Sequence, residues 1–239
     1  MNEPEILWQV NGRIATLTLN RPARRNALVP DMLDMAAGHL ARLGRDDAAV
    51  VVIEGAGPSF CAGVDLNAAA SLDAAGRDRF TRSAHELQRL IETIPQPVIA
   101  KVRGHCLTGG LEIAIACDLI VAADDARFGD THALVGFRPR WGMSQRLPYL
   151  IGPARAREMV YTGRQIDAAE AARIGLISRH VPAEQLDAAV GGMAEAIMKG
   201  NPDSIAAYKD LFRQAREPGF SQGVAYEGAT EYAIRRPPT

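Results

Sequence analysis

Glu112 lies between Leu111 and Ile113 in an apolar stretch, where a carboxylate is costly unless it is paired or put to use. Pairing with an arginine is the plain explanation; chemistry is the other. The residues ahead of it, Leu107-Thr108-Gly109-Gly110, read as a turn that aims a backbone N–H outward and leads into a helix. Earlier in the chain, Phe60-Cys61-Ala62-Gly63-Val64-Asp65-Leu66 reads the same way after the apolar run Val50-Val51-Val52-Ile53. Two such N–H groups converging on one point would form an oxyanion hole, a pair of donors for a carbonyl that becomes negatively charged. Glu112, one turn into the helix, would stand beside that carbonyl as a general acid or base. Taken alone, each segment also fits an ordinary turn. Gly63 would supply an unusual backbone angle, Asp65 would cap the next helix, and Gly109-Gly110 would permit close packing. Their joint occurrence, in order and after matching apolar strands, favours chemistry.

Other residue types carry less. Cys61 and Cys106 flank the candidate site without a partner base and read as small apolar filler. With Cys117 they form neither a metal-ligand spacing nor an even disulfide set, and no metal is expected. His132, in Gly129-Asp130-Thr131-His132, is either a surface histidine or a proton carrier, while His39, His85, His105 and His180 read as structural. Gly55-Ala56-Gly57 opens like a dinucleotide fingerprint, but Phe60 occupies its third glycine position and Pro58 intervenes. No phosphate-binding loop is present, and the lack of a serine elbow disfavours an α/β hydrolase.

The elements that must position these residues follow from periodicity. Ile6–Val10 and Ile14–Leu19 read as a hairpin about Asn11-Gly12. Pro30 opens a helix running to about Leu43, with Met32, Leu33, Met35, Ala36, Leu40 and Leu43 on one stripe. Val50–Glu54 is a buried strand, and a helix follows at about Asp78–Thr93. A strand at Pro97–Val102, a helix from Gly110 and a strand at Leu119–Ala123 come next. From Ser144 the chain is mostly helical, with a strand expected at Leu176–His180 and a helix from Pro202 to about Arg216. The recurring strand–turn–helix units suggest an α/β fold of stacked ββα turns rather than a Rossmann sheet.

The chain has 239 residues, 47% hydrophobic and 23% charged, enough for one α/β domain with a real core. A net charge of -1 offers no electrostatic case for nucleic acid or an acidic membrane surface. No apolar run approaches a bilayer span, and the acidic start Met1-Asn2-Glu3-Pro4-Glu5 has no apolar signal region. A cytoplasmic location is therefore expected.

Together the two turn segments resemble the crotonase (enoyl-CoA hydratase/isomerase) superfamily. The similarity runs from Arg21-Pro22 to about residue 200, through Arg25-Asn26-Ala27-Leu28, Pro97-Val98-Ile99-Ala100-Lys101-Val102-Arg103-Gly104, Ala116-Cys117-Asp118-Leu119, Ala126-Arg127-Phe128, Gln145-Arg146-Leu147, Leu150-Ile151-Gly152-Pro153-Ala154-Arg155-Ala156 and Tyr161-Thr162-Gly163-Arg164-Gln165-Ile166. The resemblance implies a crotonase-like spiral of ββα units over residues 1–199, followed by a helical oligomerisation region over 200–239 and assembly as a homotrimer or a dimer of trimers. It implies an acyl-CoA substrate, with coenzyme A entering as part of that substrate and no separate cofactor. Most specifically it implies enoyl-CoA hydration within fatty acid metabolism. The alternatives on the same scaffold are isomerisation, decarboxylation and thioester hydrolysis, or acyl-CoA binding with weak catalysis.

Residue by residue, the implied oxyanion donors are the N–H groups of Val64 and Gly109, and Glu112 matches the first catalytic glutamate. Arg24 and Arg25 fall where the nucleotide end of coenzyme A is contacted. Ala62, Val64 and Leu66 fall on the edge that meets adenine, and Ala27, Asp65, Gly110 and Val135 complete the implied binding set. The chain departs from the pattern in four places. His132 stands where hydratases carry their second glutamate, and an imidazole cannot hold the shared water as a carboxylate does. Phe137-Arg138-Pro139-Arg140-Trp141-Gly142 replaces a stretch of small residues, Asn67 replaces a basic residue, and the chain ends at Thr239, about a helix early. The expectation is slow hydration of crotonyl-CoA, raised by His132→Glu, with Arg138 or Arg140 favouring an acyl group that bears its own carboxylate.

Overall fold

The computed structural model describes residues 3–44, 47–216, 221, 222, 225 and 229. The chain opens with β1 (Ile6–Asn11) and β2 (Ile14–Leu19), an antiparallel hairpin in the expected register, followed by α1 (Pro30–Arg42). Next come β3 (Val50–Gly55), α2 (Leu66–Ser71), α3 (Ala74–Thr93) and β4 (Val98–Val102). The central stretch holds β5 (His105–Leu107), α4 (Gly109–Ala114), β6 (Leu119–Ala123) and β7 (Arg127–Gly129). Then follow α5 (Met143–Ile151), α6 (Pro153–Thr162), β8 (Ile166–Asp167), α7 (Ala168–Arg173), β9 (Arg179–Val181), α8 (Leu186–Met198) and α9 (Pro202–Arg216).

Two sheets result. The larger has six strands in the order β1-β2-β3-β4-β6-β9, parallel after the first hairpin. The smaller has the order β5-β7-β8. Each pass of the chain lays one strand on the large sheet and a short segment on the small one, then turns into helix: β4, β5, α4 and next β6, β7, α5. This is the α/β spiral expected from the sequence.

The apolar run of β3 is continuous because both faces of its sheet are covered. Val51 and Ile53 enter the main core with Leu33, Leu87 and Leu111. Val50 and Val52 meet a second cluster built on Leu186, Val190 and Ala194 of α8. At the other end of the chain, Lys209 ties α9 back to the core. Its ammonium donates to the carbonyls of Ile91 (2.7 Å) and Gln96 (2.9 Å) and pairs with Asp118 (2.8 Å).

Several expectations shift. Helix α3 starts at Ala74 rather than Asp78, because Asp73 caps it by accepting from the Gly76 N–H at 2.7 Å. Met35, expected on the buried stripe of α1, is exposed. The strand expected at Leu176–His180 is confined to Arg179–Val181, and Leu176 and Ile177 pack in the core instead. The expected 200–239 region is helical over α9, and most of it beyond Arg216 lies outside the described residues.

Candidate active site

Single-residue bridges extend the small sheet and knit the two turn segments together. Cys61 bridges Cys106: the Cys61 N–H donates to the His105 carbonyl (2.8 Å) and the Leu107 N–H to the Cys61 carbonyl (3.0 Å). Val64 bridges Leu28 in the same way. The Leu28 N–H donates to the Gly63 carbonyl (2.8 Å) and the Asp65 N–H to the Leu28 carbonyl (3.0 Å). In a parallel bridge the neighbours of the bridged residue make the bonds, so the Val64 N–H points away from Leu28. Among the described residues neither the Val64 N–H nor the Gly109 N–H, at the start of α4, donates to an acceptor.

Side-chain-free contacts close the gap between the segments. Gly63 has φ +105°, and a Cβ there would lie 1.9 Å from Thr108 Oγ1. At Gly110 a Cβ would lie 2.4 Å from the Cys61 carbonyl oxygen. Only glycine permits these approaches. Thr108 itself sits at φ 45°, ψ -115°, a conformation costly for a β-branched residue and one that concentrates at functional turns.

Glu112 is 1% exposed and follows directly from this turn. Its N–H donates to the Thr108 carbonyl (2.9 Å), and its own carbonyl accepts from Gln88 Nε2 of α3 (3.0 Å). Carboxylate oxygen Oε1 accepts the Trp141 N–H at 3.1 Å. The carboxyl is thus oriented by a backbone donor from the loop ahead of α5.

His132 arrives from the neighbouring strand. Gly129 pairs with Leu107, and its carbonyl accepts the Thr108 N–H at 2.9 Å, so the chain leaving β7 passes the start of α4. Asp130, fully buried, accepts with Oδ1 both the His132 N–H (3.1 Å) and the ring Nδ1 (2.6 Å). A carboxylate can only accept, so the ring proton is assigned to Nδ1. The sequence-predicted His132 therefore comes with a partner that the sequence reading did not single out.

The remaining candidates sort by position. Ala62, Val64 and Asp65 lie on the bridged edge, Gly110 is buried behind Gly109, and Leu66 is exposed at the start of α2. Arg24, Arg25 and Ala27 lie alongside, since the Ala62 N–H donates to the Arg25 carbonyl at 2.9 Å. Asp65 caps α2 through the Ala68 N–H (3.1 Å) and pairs with Arg21 (3.1 Å). That cap, then the arginine, hold its carboxyl below the usual carboxylate range. Val135 ends a 3-10 turn that starts at His132 and is exposed. The Arg140 carbonyl accepts from His85 Nε2 at 2.7 Å, which anchors the loop to α3 and gives His85 its structural role. Burial pushes the Cys61 thiol up to about 12, so it is no nucleophile at neutral pH.

Four residues that matter here were not singled out as site residues. Asn26 (φ 56°) is fully buried and holds the Arg25 turn by donating to the carbonyls of Ala56 (2.9 Å) and Ser59 (2.7 Å). Its place in Arg25-Asn26-Ala27-Leu28, one of the stretches that carry the resemblance, was its signal. Asp130 was signalled by its acid–x–base spacing to His132, Thr108 by its place beside two glycines, and Trp141 by its bulk within a stretch that departs from the family's small residues.

The family model for enoyl-CoA hydratase/isomerase matches residues 9–233. The chain belongs to the enoyl-CoA hydratase/isomerase family. A probable enoyl-CoA hydratase of Mycobacterium bovis is 36% identical over 228 residues, 95% of this chain and 88% of the relative. The crotonyl-CoA hydratase of Syntrophomonas wolfei is 34% identical over 224 residues, covering 93% and 86%. Among solved structures, the enoyl-CoA hydratase of Mycobacterium tuberculosis superposes with a TM-score of 0.84 at 35% identity, covering 94% of this chain and 96% of that one. The spiral is therefore the crotonase fold. Among the described residues no helix is long and apolar enough to cross a membrane.

Proposed function

We propose that this member of the family is an enoyl-CoA hydratase, a lyase that adds water across the double bond of a 2-enoyl thioester. The thioester oxygen would rest between the N–H groups of Val64 and Gly109. Water oxygen bonds to C3, the π pair moves toward the thioester, and the resulting enolate oxygen carries the charge that the two donors stabilise. C2 then takes a proton. Glu112 is the general acid/base for the water and that proton, and His132, oriented by Asp130, is the second proton carrier. Arg24 and Arg25, exposed beside the same edge, would meet the phosphates of coenzyme A, with Ala27, Ala62, Asp65, Leu66, Gly110 and Val135 as the further contacts.

The observation that carries this reading is a buried carboxyl one turn beyond an uncommitted helix-start N–H, laced to a second uncommitted N–H. Its test is hydration of crotonyl-CoA, followed by loss of the conjugated thioester absorbance. Glu112→Gln should lower kcat by roughly 10²–10⁴ while leaving coenzyme A affinity little changed. A folded Gln variant with full activity would move the role elsewhere. A second reading, another reaction on the same scaffold such as isomerisation, is favoured by the Asp130–His132 pair, since a histidine held by a carboxylate carries protons rather than clamping water.

The assembly belongs to the same proposal: a homotrimer or dimer of trimers in the cytoplasm. Tyr149, Tyr161, Tyr208, Leu211 and Phe212 are exposed on α5, α6 and α9, apolar surface that a neighbouring copy would cover. Light scattering that gives a stable monomer would overturn it.

A further inference from the structure

Trp141 is held from every side at the point where the candidate donor and the candidate acid/base meet. Its N–H is bound by Glu112 Oε1 (3.1 Å), and its carbonyl accepts from Arg146 Nη1 (2.8 Å). Arg146 is fixed in turn by Glu92 at 3.0 Å. The indole is 5% exposed and packs edge-to-face on Phe80 of α3, with ring centroids 5.2 Å apart at 66°. Its six-membered edge rests on Gly109: a Cβ built there would lie 2.7 Å from Trp141 Cζ3. One aromatic side chain thus touches the residue that would hold the carbonyl, while its own main chain holds the carboxyl that would act on the adjacent carbons.

We infer that Trp141 is a specificity-determining wall that closes the acyl site behind its first carbons and restricts the enzyme to short-chain 2-enoyl thioesters. The inference rests on the hydratase reading above. A thioester whose oxygen sits at the Gly109 N–H, and whose C2 and C3 reach Glu112, must run its next carbons along the indole. The ring cannot swing aside without breaking the Phe80 contact and vacating well-packed volume, so added methylenes meet a fixed obstacle. Small residues in its place would leave a channel toward Phe80.

The test compares crotonyl-CoA with trans-2-decenoyl-CoA on wild type, Trp141→Ala and Trp141→Phe. Wild type should favour the short substrate in kcat/KM by about 100-fold or more, because each misfitting methylene costs a substantial factor in a closed apolar site. Trp141→Ala should shift that ratio toward decenoyl-CoA by about tenfold or more, with Trp141→Phe between them. A wild type that handles both chains equally, or folded variants with an unchanged ratio, would overturn the inference. If Trp141→Ala does not fold, the Phe variant decides alone, an unshifted ratio counting against the wall. If wild type hydrates neither substrate, the hydratase reading fails separately. The wall is then read by calorimetry with butyryl-CoA and decanoyl-CoA, and it stands only if the variants gain affinity for decanoyl-CoA relative to butyryl-CoA.

Discussion

Residues 60–66 and 105–112 hold their shape through main-chain bridges and glycine contacts, whereas residues 130–142 hold theirs through side chains: Asp130 to His132, His85 to the Arg140 carbonyl, Phe80 to Trp141. Backbone donors are the same atoms whatever the residue, so a carbonyl-holding region of this kind tolerates no change of path but many changes of surface. A region built of side chains can exchange its chemistry one substitution at a time. Two of the four departures from the family pattern, His132 and the 137–142 stretch, fall on the second region, while the first keeps Val64, Gly109 and Glu112. Activity on one fold is tuned by its site rather than by its scaffold.

That contrast is tested most severely at Gly110. Alanine there would drive its Cβ to 2.4 Å from the Cys61 carbonyl oxygen, a backbone atom that cannot rotate away. The two segments must then separate, moving the Gly109 N–H from where it would meet a thioester oxygen. Gly110→Ala should lower kcat by about 10²–10³, the usual cost of one lost oxyanion donor. Overpacking should also cost roughly 1–3 kcal/mol of stability. Crotonyl-CoA kinetics and urea unfolding measure the two effects. Near-native kinetics would mean that the close approach is not part of the machinery.

The side-chain region gives the next largest effect, and Asp130 bears on a simple expectation. From the sequence alone, His132→Glu restores the missing second carboxylate and should speed hydration. The structure places a fully buried Asp130 against that position, 2.6 Å from the ring nitrogen. Two carboxyls that close cannot both ionise, so one would be held protonated. His132→Glu alone is expected to be no faster than wild type. The double variant Asp130→Asn/His132→Glu should exceed the single one by about tenfold or more, because a new carboxylate would no longer face a second one. Equal rates for the single and double variants would show that Asp130 does not govern this site.

How far the sequence led follows the same division. The β1–β2 hairpin, α1, β3 and β6 were readable because their apolar periods run long enough to distinguish strand from helix. Strands β5, β7 and β8 were not, since two or three residues carry no period, and their pairing is set by the spiral rather than by local preference. Gly63, Gly109, Gly110 and Glu112 stood out as turn glycines and a carboxyl in an apolar run, and the resemblance added Val64. Asp130 and Trp141 did not, because a carboxyl near a histidine or a tryptophan beside an arginine gains its meaning only from what the fold lays beside it.

Thr108 sits within the main-chain region yet contradicts its economy. At φ 45°, ψ -115° it occupies space suited to glycine, with its hydroxyl against Gly63. Thr108→Gly should relieve strain of about 1–3 kcal/mol and return part of it as unfolded-chain entropy, for a net gain near 1 kcal/mol. A higher urea midpoint with an unchanged slope is the expected result. An unchanged or lower midpoint would show that the Thr108 side chain stabilises the turn by more than its backbone costs.

An effect of similar size belongs to Asp65, which pins the outer end of the same region. Its carboxyl accepts the Ala68 N–H at 3.1 Å and meets Arg21 at 3.1 Å, and both interactions favour the charged form, so its pKa is lowered on folding. A group whose pKa falls on folding contributes stability that is complete above its unfolded value, ordinarily 3.8, and that is lost as pH drops through the lower folded value. Asp65→Ala should therefore cost about 0.5–2 kcal/mol at neutral pH through the lost cap. The deficit should shrink as the solution is acidified past the ordinary carboxylate range, where the wild-type carboxyl is itself protonated. Chemical unfolding of both proteins at neutral and strongly acidic pH measures the two gaps. A deficit that stays constant with pH would mean that Asp65 acts by packing rather than by charge.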